Sequence, residues 1–404
     1  MKIRAITLFA DLGPPLDATQ IEKLGEFARA ARLAYESDGF AVQTTRLATH
    51  VFPRLNVSDW ADRPVAYAVA LEEVCQRHGF DYISLGPAER EAWAVLPDLI
   101  AATKTVFVTV NTTYRASGTI RGDAIRAAAH VIQRVMTAEP GGFANLRFAA
   151  LANVEPGIPF FPSAFYGGGP PSFAIATEAA DLAVDVCRDA RDAEVARWRL
   201  VAAIEKQGRK LERRARILAQ EHDVRFDGID FSLAPFPAPE LSIGAALESL
   251  SGQPLGSPGT LAAAAILTDA IDRAQFQRCG FCGLMLPVLE DSVLAERATQ
   301  GLLRISDLLQ WSAVCGTGLD TVPLPGDVSE MLLAALLFDV AALAVRAKKP
   351  LSARLMPIPG RAAGDPVTFD FAYFADSCVL PLDGEPRPGL LNDTAELRLT
   401  ARAH

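Results

Sequence analysis

Histidine, methionine and tryptophan are scarce in this chain, at five, five and four residues among 404. None of the histidines (50, 78, 130, 222, 404) stands at ligand-like spacing from another, which argues against a histidine-rich zinc centre. Positive charge is also short: 39 Lys and Arg face 48 Asp and Glu, for a net charge of −9. Nucleic acid and anionic membranes both require a positive field, so neither is an expected partner. No apolar run approaches the ~20 residues needed to cross a bilayer. The start, MKIRAITLFADLG, lacks the strongly basic end and the small-residue cleavage site of a secretory signal. Six cysteines (75, 187, 279, 282, 315, 378) are too scattered for a disulfide framework. A soluble cytoplasmic protein with reduced thiols is the expectation. No Gly/Ser-rich or charged linker divides the chain, which points to one domain over 1–382, with 383–404 as a surface tail.

What is present is globular composition, 50% hydrophobic and 22% charged, enough for a large core. IRAITLF (3–9) reads as a buried strand and 19–35 as a helix with Ile21, Leu24, Phe27, Ala28 and Ala31 on one face. The alternation continues: strands at 41–49, 81–86, 105–114 and 143–154, with helices at 64–78, 90–103 and 122–137 between them. The second half adds strands at 229–233, 283–288, 318–323 and 351–358, with helices among them. Such alternation implies a mostly parallel sheet covered by helices, consistent with a closed barrel. Residues 193–222 predict one long amphipathic helix rich in Arg and Lys. Charge runs of this kind are usually solvated faces, so packing against acidic surface is preferred to anion binding.

The stretch CGFCGLMLPVLEDS (279–292) places two cysteines before an apolar strand and two acids after it. One CxxC supplies only two of the four ligands of a structural zinc site, and a redox pair belongs at a helix N-terminus, not before a strand. The acids lie where a strand ends and a helix begins, which is where sites are built in parallel α/β folds. Asp291 is explained by helix capping alone, whereas Glu290 is harder to explain that way. In SAVCGTGLDTVPLPGD, Cys315 is a candidate nucleophile against a core reading, and Asp320 in an apolar strand needs a partner or a cavity. Asp327 with Glu330 marks a helix start. The glycines of FFPSAFYGGGPPSF form neither a P-loop nor a GxGxxG turn, but Gly168 could lie against a ligand. Asp230 and Ser232 share one strand face, and Arg354 sits mid-strand, so a buried acid and base could pair or grip a small polar substrate.

IRAITLF, IDFSLAPFP, GSPGTLAAAAILTDA, GFCGLMLPVLED, VCGTGLDTVPLPGD and RLMPIPGRAAGDPVTF occur in the order expected of one family. Over about 3–371 the chain resembles the domain-of-unknown-function family 711, of the UPF0210 type. The resemblance implies a ten-stranded α/β barrel related to pyruvate formate-lyase-like glycyl radical enzymes. It does not extend to radical chemistry, because the last glycine, Gly389 in PRPGLL, lacks the activatable setting. Gly280, Gly283, Pro287, Val288, Glu290 and Asp291 match a family motif in which Cys282 replaces serine, which makes the CxxC incidental. Tyr166 and Pro258 stand where the family pattern has histidines.

These readings converge on a single-domain closed barrel of about ten strands with an enclosed polar site. The leading expectation is an enzyme (a lyase, hydrolase or isomerase) acting on a small anionic or amide-bearing metabolite. Glu290 would be the general acid/base with its pKa raised by burial, Cys315 a nucleophile, and Asp320 a further catalytic group. Asp230, Ser232, Arg354, Gly168, Thr260 and Cys282 would contact substrate. No cofactor is required. An alternative is a magnesium or calcium ion held by Asp230, Glu290, Asp291 and Asp320, and another is a non-catalytic sensor or assembly protein. The resemblance and the basic helix together suggest a homodimer.

Overall fold

The computed structural model describes residues 1–13, 15–50, 63–382, 384, 387 and 389–401. Its first half runs β1 (Lys2–Phe9), α1 (Ala18–Ser37), β2 (Val42–Ala48), α2 (Arg63–Arg77), β3 (Tyr82–Ala88), α3 (Leu96–Ala102), β4 (Val106–Asn111), β5 (Thr113–Tyr114), β6 (Thr119–Arg121), α4 (Gly122–Val135) and β7 (Phe148–Ala152). Then follow β8 (Ser172–Glu178), α5 (Ala180–Arg188), α6 (Ala193–His222), β9 (Arg225–Asp230), α7 (Ile243–Ser251), α8 (Thr260–Arg273), α9 (Ser292–Thr299) and α10 (Ile305–Ser312). The chain closes with β10 (Gly318–Pro325), α11 (Glu330–Ala347), β11 (Leu351–Ile358), β12 (Pro366–Val367), β13 (Ser377–Cys378), α12 (Leu390–Asp393) and β14 (Glu396–Arg398).

Helices α1, α6, α7, α9 and α11 begin where short polar side chains satisfy their first N–H groups. Asp17 accepts from Gln20 at the start of α1, and the buried stripe Ile21, Leu24, Phe27, Ala28 and Ala31 is the one its periodicity predicts. The long helix α6 spans the expected residues, capped by Asp192 and ended by Asp223 at φ 53°. Much of its charge is neutralised within the chain: Arg197 pairs with Asp269, Arg214 with Asp38, Arg209 with Glu205 and Arg216 with Glu212. At α11 the cap is Ser329, two residues beyond Asp327.

Nine strands form one mixed sheet in the order β10-β11-β7-β4-β3-β2-β1-β8-β9. β1, β2, β3, β4 and β7 are mutually parallel, while β8 runs antiparallel to β1 and β11 antiparallel to β7. The expected strand at 283–288 does not form. Only Leu284 and Pro287 make bridges there, Leu284 to Leu233 beyond β9 and Pro287 to Asp320 on β10. Pro287 has no N–H to donate to a ladder, and Glu290 N–H closes a turn onto the Pro287 carbonyl. The two edges of the sheet therefore both touch 278–290, yet no sheet closes by continuous strand pairing among the described residues. β8 was missed in sequence because its entry lies in the glycine-rich stretch. Part of the expected tail is anchored, since β14 pairs with β6. Tail residues 383, 385, 386, 388 and 402–404 lie outside the described residues.

One face of the sheet packs on the helices through residues such as Ile6, Leu8, Leu47, Val108 and Leu355. The other face holds the loop between β7 and β8. Thr7 Oγ1 donates to the Pro159 carbonyl and Ser84 Oγ to the Ala164 carbonyl, at 2.7 and 2.6 Å. The sheet's concave side is thus partly filled by Ile158, Phe160, Phe161 and Phe165, and the space left over is the site.

Candidate functional site

Arg354 reaches that space by ordinary strand alternation. Leu351, Ala353 and Leu355 of β11 enter the helix-facing core, and Ser352 and Arg354 face the cavity. Two other charged residues arrive through irregularities. The β1–β8 register shifts between Ile3 and Ala5, and the β10–β11 register shifts between Leu319 and Val322. Bulges re-aim side chains: Ile3 and Ile6 remain on the helix face while Arg4 turns inward, and Leu319 and Val322 remain outward while Asp320 turns inward. Thr321 sits at φ 42° beside this second bulge.

The inward charges form a ladder. Arg354 Nε donates to Asp320 Oδ1 at 2.6 Å and its Nη2 to Glu290 Oε1 at 2.7 Å. The other oxygen of Glu290 is paired with Arg4, whose Nη1 reaches Glu178 Oε2 at 2.9 Å. Gln43 also donates to Glu178. Glu178, Glu290 and Asp291 are buried carboxylates, and a buried charge persists only when such partners offset its lost hydration. Arg46 differs. It is 6% exposed, its Nε donates to Thr44 Oγ1 at 2.8 Å, and its guanidinium lies over Phe161 and Tyr82, 5.1 and 5.6 Å from the ring centroids. Among the described residues it has no carboxylate partner. Burial and the neighbouring Arg4 lower its pKa to about 10, still charged at neutral pH.

The two cavity acids are driven in opposite directions. Burial by itself would raise Glu290, but Arg4 and Arg354 outweigh it and hold its pKa below the usual glutamate value. This corrects the expectation of a raised Glu290, because a carboxylate clamped by two arginines stays ionised and is a poor proton donor. Asp320 is raised by burial, with Glu290 adding to the effect and Arg354 opposing it. The cavity measures about 80 Å³, and at ~30 Å³ per water it has room for roughly two to three water molecules.

Glu290, Asp320 and Arg354 therefore meet, although they come from distant parts of the chain. The other sequence candidates lie elsewhere. Cys315 is 1% exposed in the helix-side core, with its thiol pushed up to about 12 by burial, which opposes a nucleophilic thiolate. Asp230 accepts from Phe281 N, Cys282 N and Ser232 Oγ at 2.7, 2.9 and 2.6 Å, and Ser232 Oγ accepts from Gly283 N. Asp230 and Ser232 hold the 280–283 loop. Gly280, at φ 70°, is required there because a Cβ would collide with the Asp230 carboxylate. Cys279 and Cys282 are free thiols, both raised by burial, and they border a separate surface groove. Thr260 is buried at the start of α8 and donates to the Ser257 carbonyl. Gly168, at φ 109°, is exposed in its loop and does not line the cavity. Asp291 is the N-cap of α9, accepting from Val293 N, Leu294 N, Ser242 Oγ and Gly244 N.

The proposed divalent-ion set is consequently dispersed: no group of three or more His, Cys, Asp or Glu residues among the described residues is placed to hold a metal. Tyr166, in the position of an expected histidine, stacks edge-on against His50. Arg4, Arg46 and Glu178 were missed in sequence. Arg46 was detectable as the one charge of strand β2, on the face it shares with Thr44 and Ala48. Arg4 was not, because the bulge reverses its alternation.

Residues 1–373 match the family model described as "Uncharacterised ACR (DUF711)". This chain belongs to that family. UPF0210 proteins of Pyrobaculum arsenaticum and Pyrobaculum islandicum are each 33% identical to it, over 402 and 396 residues, covering 90% of this chain and 87% of the relative in both cases. A UPF0210 protein of Desulforudis audaxviator is 33% identical over 291 residues, covering 70% of this chain and 64% of its own. The described helices include none long and apolar enough to cross a membrane.

Proposed function

We propose that this DUF711 protein is an enzyme that binds a small organic anion on Arg46 and uses Asp320 for proton transfer. One observation carries the reading: a buried guanidinium facing a cavity with no carboxylate partner among the described residues. Burying an unpaired charge is costly, and a bound carboxylate would offset that cost through a bidentate contact. Asp320 supplies the acid/base function expected of Glu290, since it alone of the two cavity acids is raised. Glu290 then acts as the fixed anion that orients Arg4 and Arg354. The bridges at Leu284 and Pro287 support a finer reading of the fold. In it, 278–290 is an irregular tenth position that brings the two sheet edges together, as in a pyruvate formate-lyase-like barrel.

Thermal unfolding in a panel of small organic anions tests the binding step. Stabilisation is expected in the parent protein and in Arg188→Met, a surface control, and is expected to vanish in Arg46→Met. Equal stabilisation of Arg46→Met would refute the assignment.

A further inference from the structure

We infer that the ligand of this cavity is a small monocarboxylate with an apolar carbon chain, an inference that rests on the anion reading above and specifies its substrate class. The first ground is the count of available cations. Arg4 is held by Glu178 and Glu290, and Arg354 by Glu290 and Asp320. Among the described cavity arginines only Arg46 remains, enough for one carboxylate. A second anionic group on the ligand would face Glu290 and Asp320 without a counter-charge, and a phosphate dianion would meet the same repulsion.

The second ground is the wall. Phe107, Leu146, Phe160, Phe161, Phe281 and Met285 line the space. Three of the hydroxyls at the cavity are committed, since Thr44 Oγ1 donates to the Arg4 carbonyl, Thr317 Oγ1 to the Leu284 carbonyl and Ser352 Oγ to the Thr317 carbonyl, and those of Tyr82, Ser163 and Tyr373 also line it. Against the phenylalanine, leucine and methionine part of this wall a polyhydroxylated ligand would bury donors and acceptors on carbon. An aliphatic chain gains there by leaving water. A cavity volume of about 80 Å³ limits the ligand to a short chain.

Isothermal titration with 3-methylbutanoate, butanoate, glycerate, succinate and inorganic phosphate tests this. 3-Methylbutanoate is expected to bind at least tenfold more tightly than glycerate, succinate or phosphate. Each methylene added in the butanoate series should tighten binding about fourfold until the cavity is full. Arg46→Met should lose binding at least tenfold. Leu146→Ala, which leaves the charges intact, should move the preferred chain towards hexanoate, and it serves as the second variant if Arg46→Met fails to fold. Tighter Arg46-dependent binding of succinate, phosphate or glycerate overturns the apolar-chain inference and leaves the anion site standing. Binding of none of the five overturns both, and an unchanged chain-length preference in Leu146→Ala overturns the wall assignment.

Discussion

Replacing Asp291 by alanine should destabilise the fold by ~3 kcal/mol while leaving anion binding intact. The carboxylate is 0% exposed and accepts from Val293 N and Leu294 N at 2.9 and 3.0 Å, from Ser242 Oγ at 2.6 Å and from Gly244 N at 3.2 Å. Loss of an N-cap costs ~1–2 kcal/mol. Orphaning the Ser242 and Gly244 donors adds ~1–3 kcal/mol each. Against this, alanine removes the cost of burying a carboxylate, whose pKa burial already raises despite the four donors. The balance is a net loss of ~2–4 kcal/mol, within the range for breaking a buried hydrogen-bond network. Urea denaturation with an unchanged m-value would report it as a lower midpoint. The adjacent Glu290 makes the contrast informative, because it caps nothing and faces the cavity. A loss below ~1 kcal/mol, or a loss of anion binding with stability unchanged, would refute the structural role of Asp291.

The remaining two predictions concern buried groups outside the cavity. Asp230 has a folded pKa of about 6 against an ordinary 3.8, raised by burial against the three hydrogen bonds it accepts. The folded state therefore holds this proton more tightly, and its stability contribution is full below the unfolded pKa and is lost as pH rises through about 6. The stability difference between parent and Asp230→Asn should shift by ~2 kcal/mol in favour of the variant between pH 4.5 and pH 7, and a flat difference in urea titrations would contradict the burial assigned here. Cys315→Ser should cost ~1–3 kcal/mol of stability, because a hydroxyl replaces a thiol in apolar surroundings, yet leave ligand binding unaltered, and abolished binding would restore the thiol to the site.

Patterns of short range were legible in the sequence. Strand–helix alternation follows from hydrophobic periodicity, and helix α6 and the cap at Asp291 follow from local amphipathicity and side-chain geometry, which need no distant partner. Arg354 was legible for the same reason, as a charge at an inward position of an apolar strand. Family membership was also legible, since ordered motifs survive without coordinates. The tertiary structure decided the rest. Whether Arg4 and Asp320 point inward depends on bulges set by the neighbouring strands β8 and β11, which no local pattern encodes. Which acid is poised for proton transfer depends on how many guanidiniums reach it across the sheet: two for Glu290, one for Asp320. Electrostatic roles of this kind are properties of distances between remote residues, and only the folded chain sets those distances.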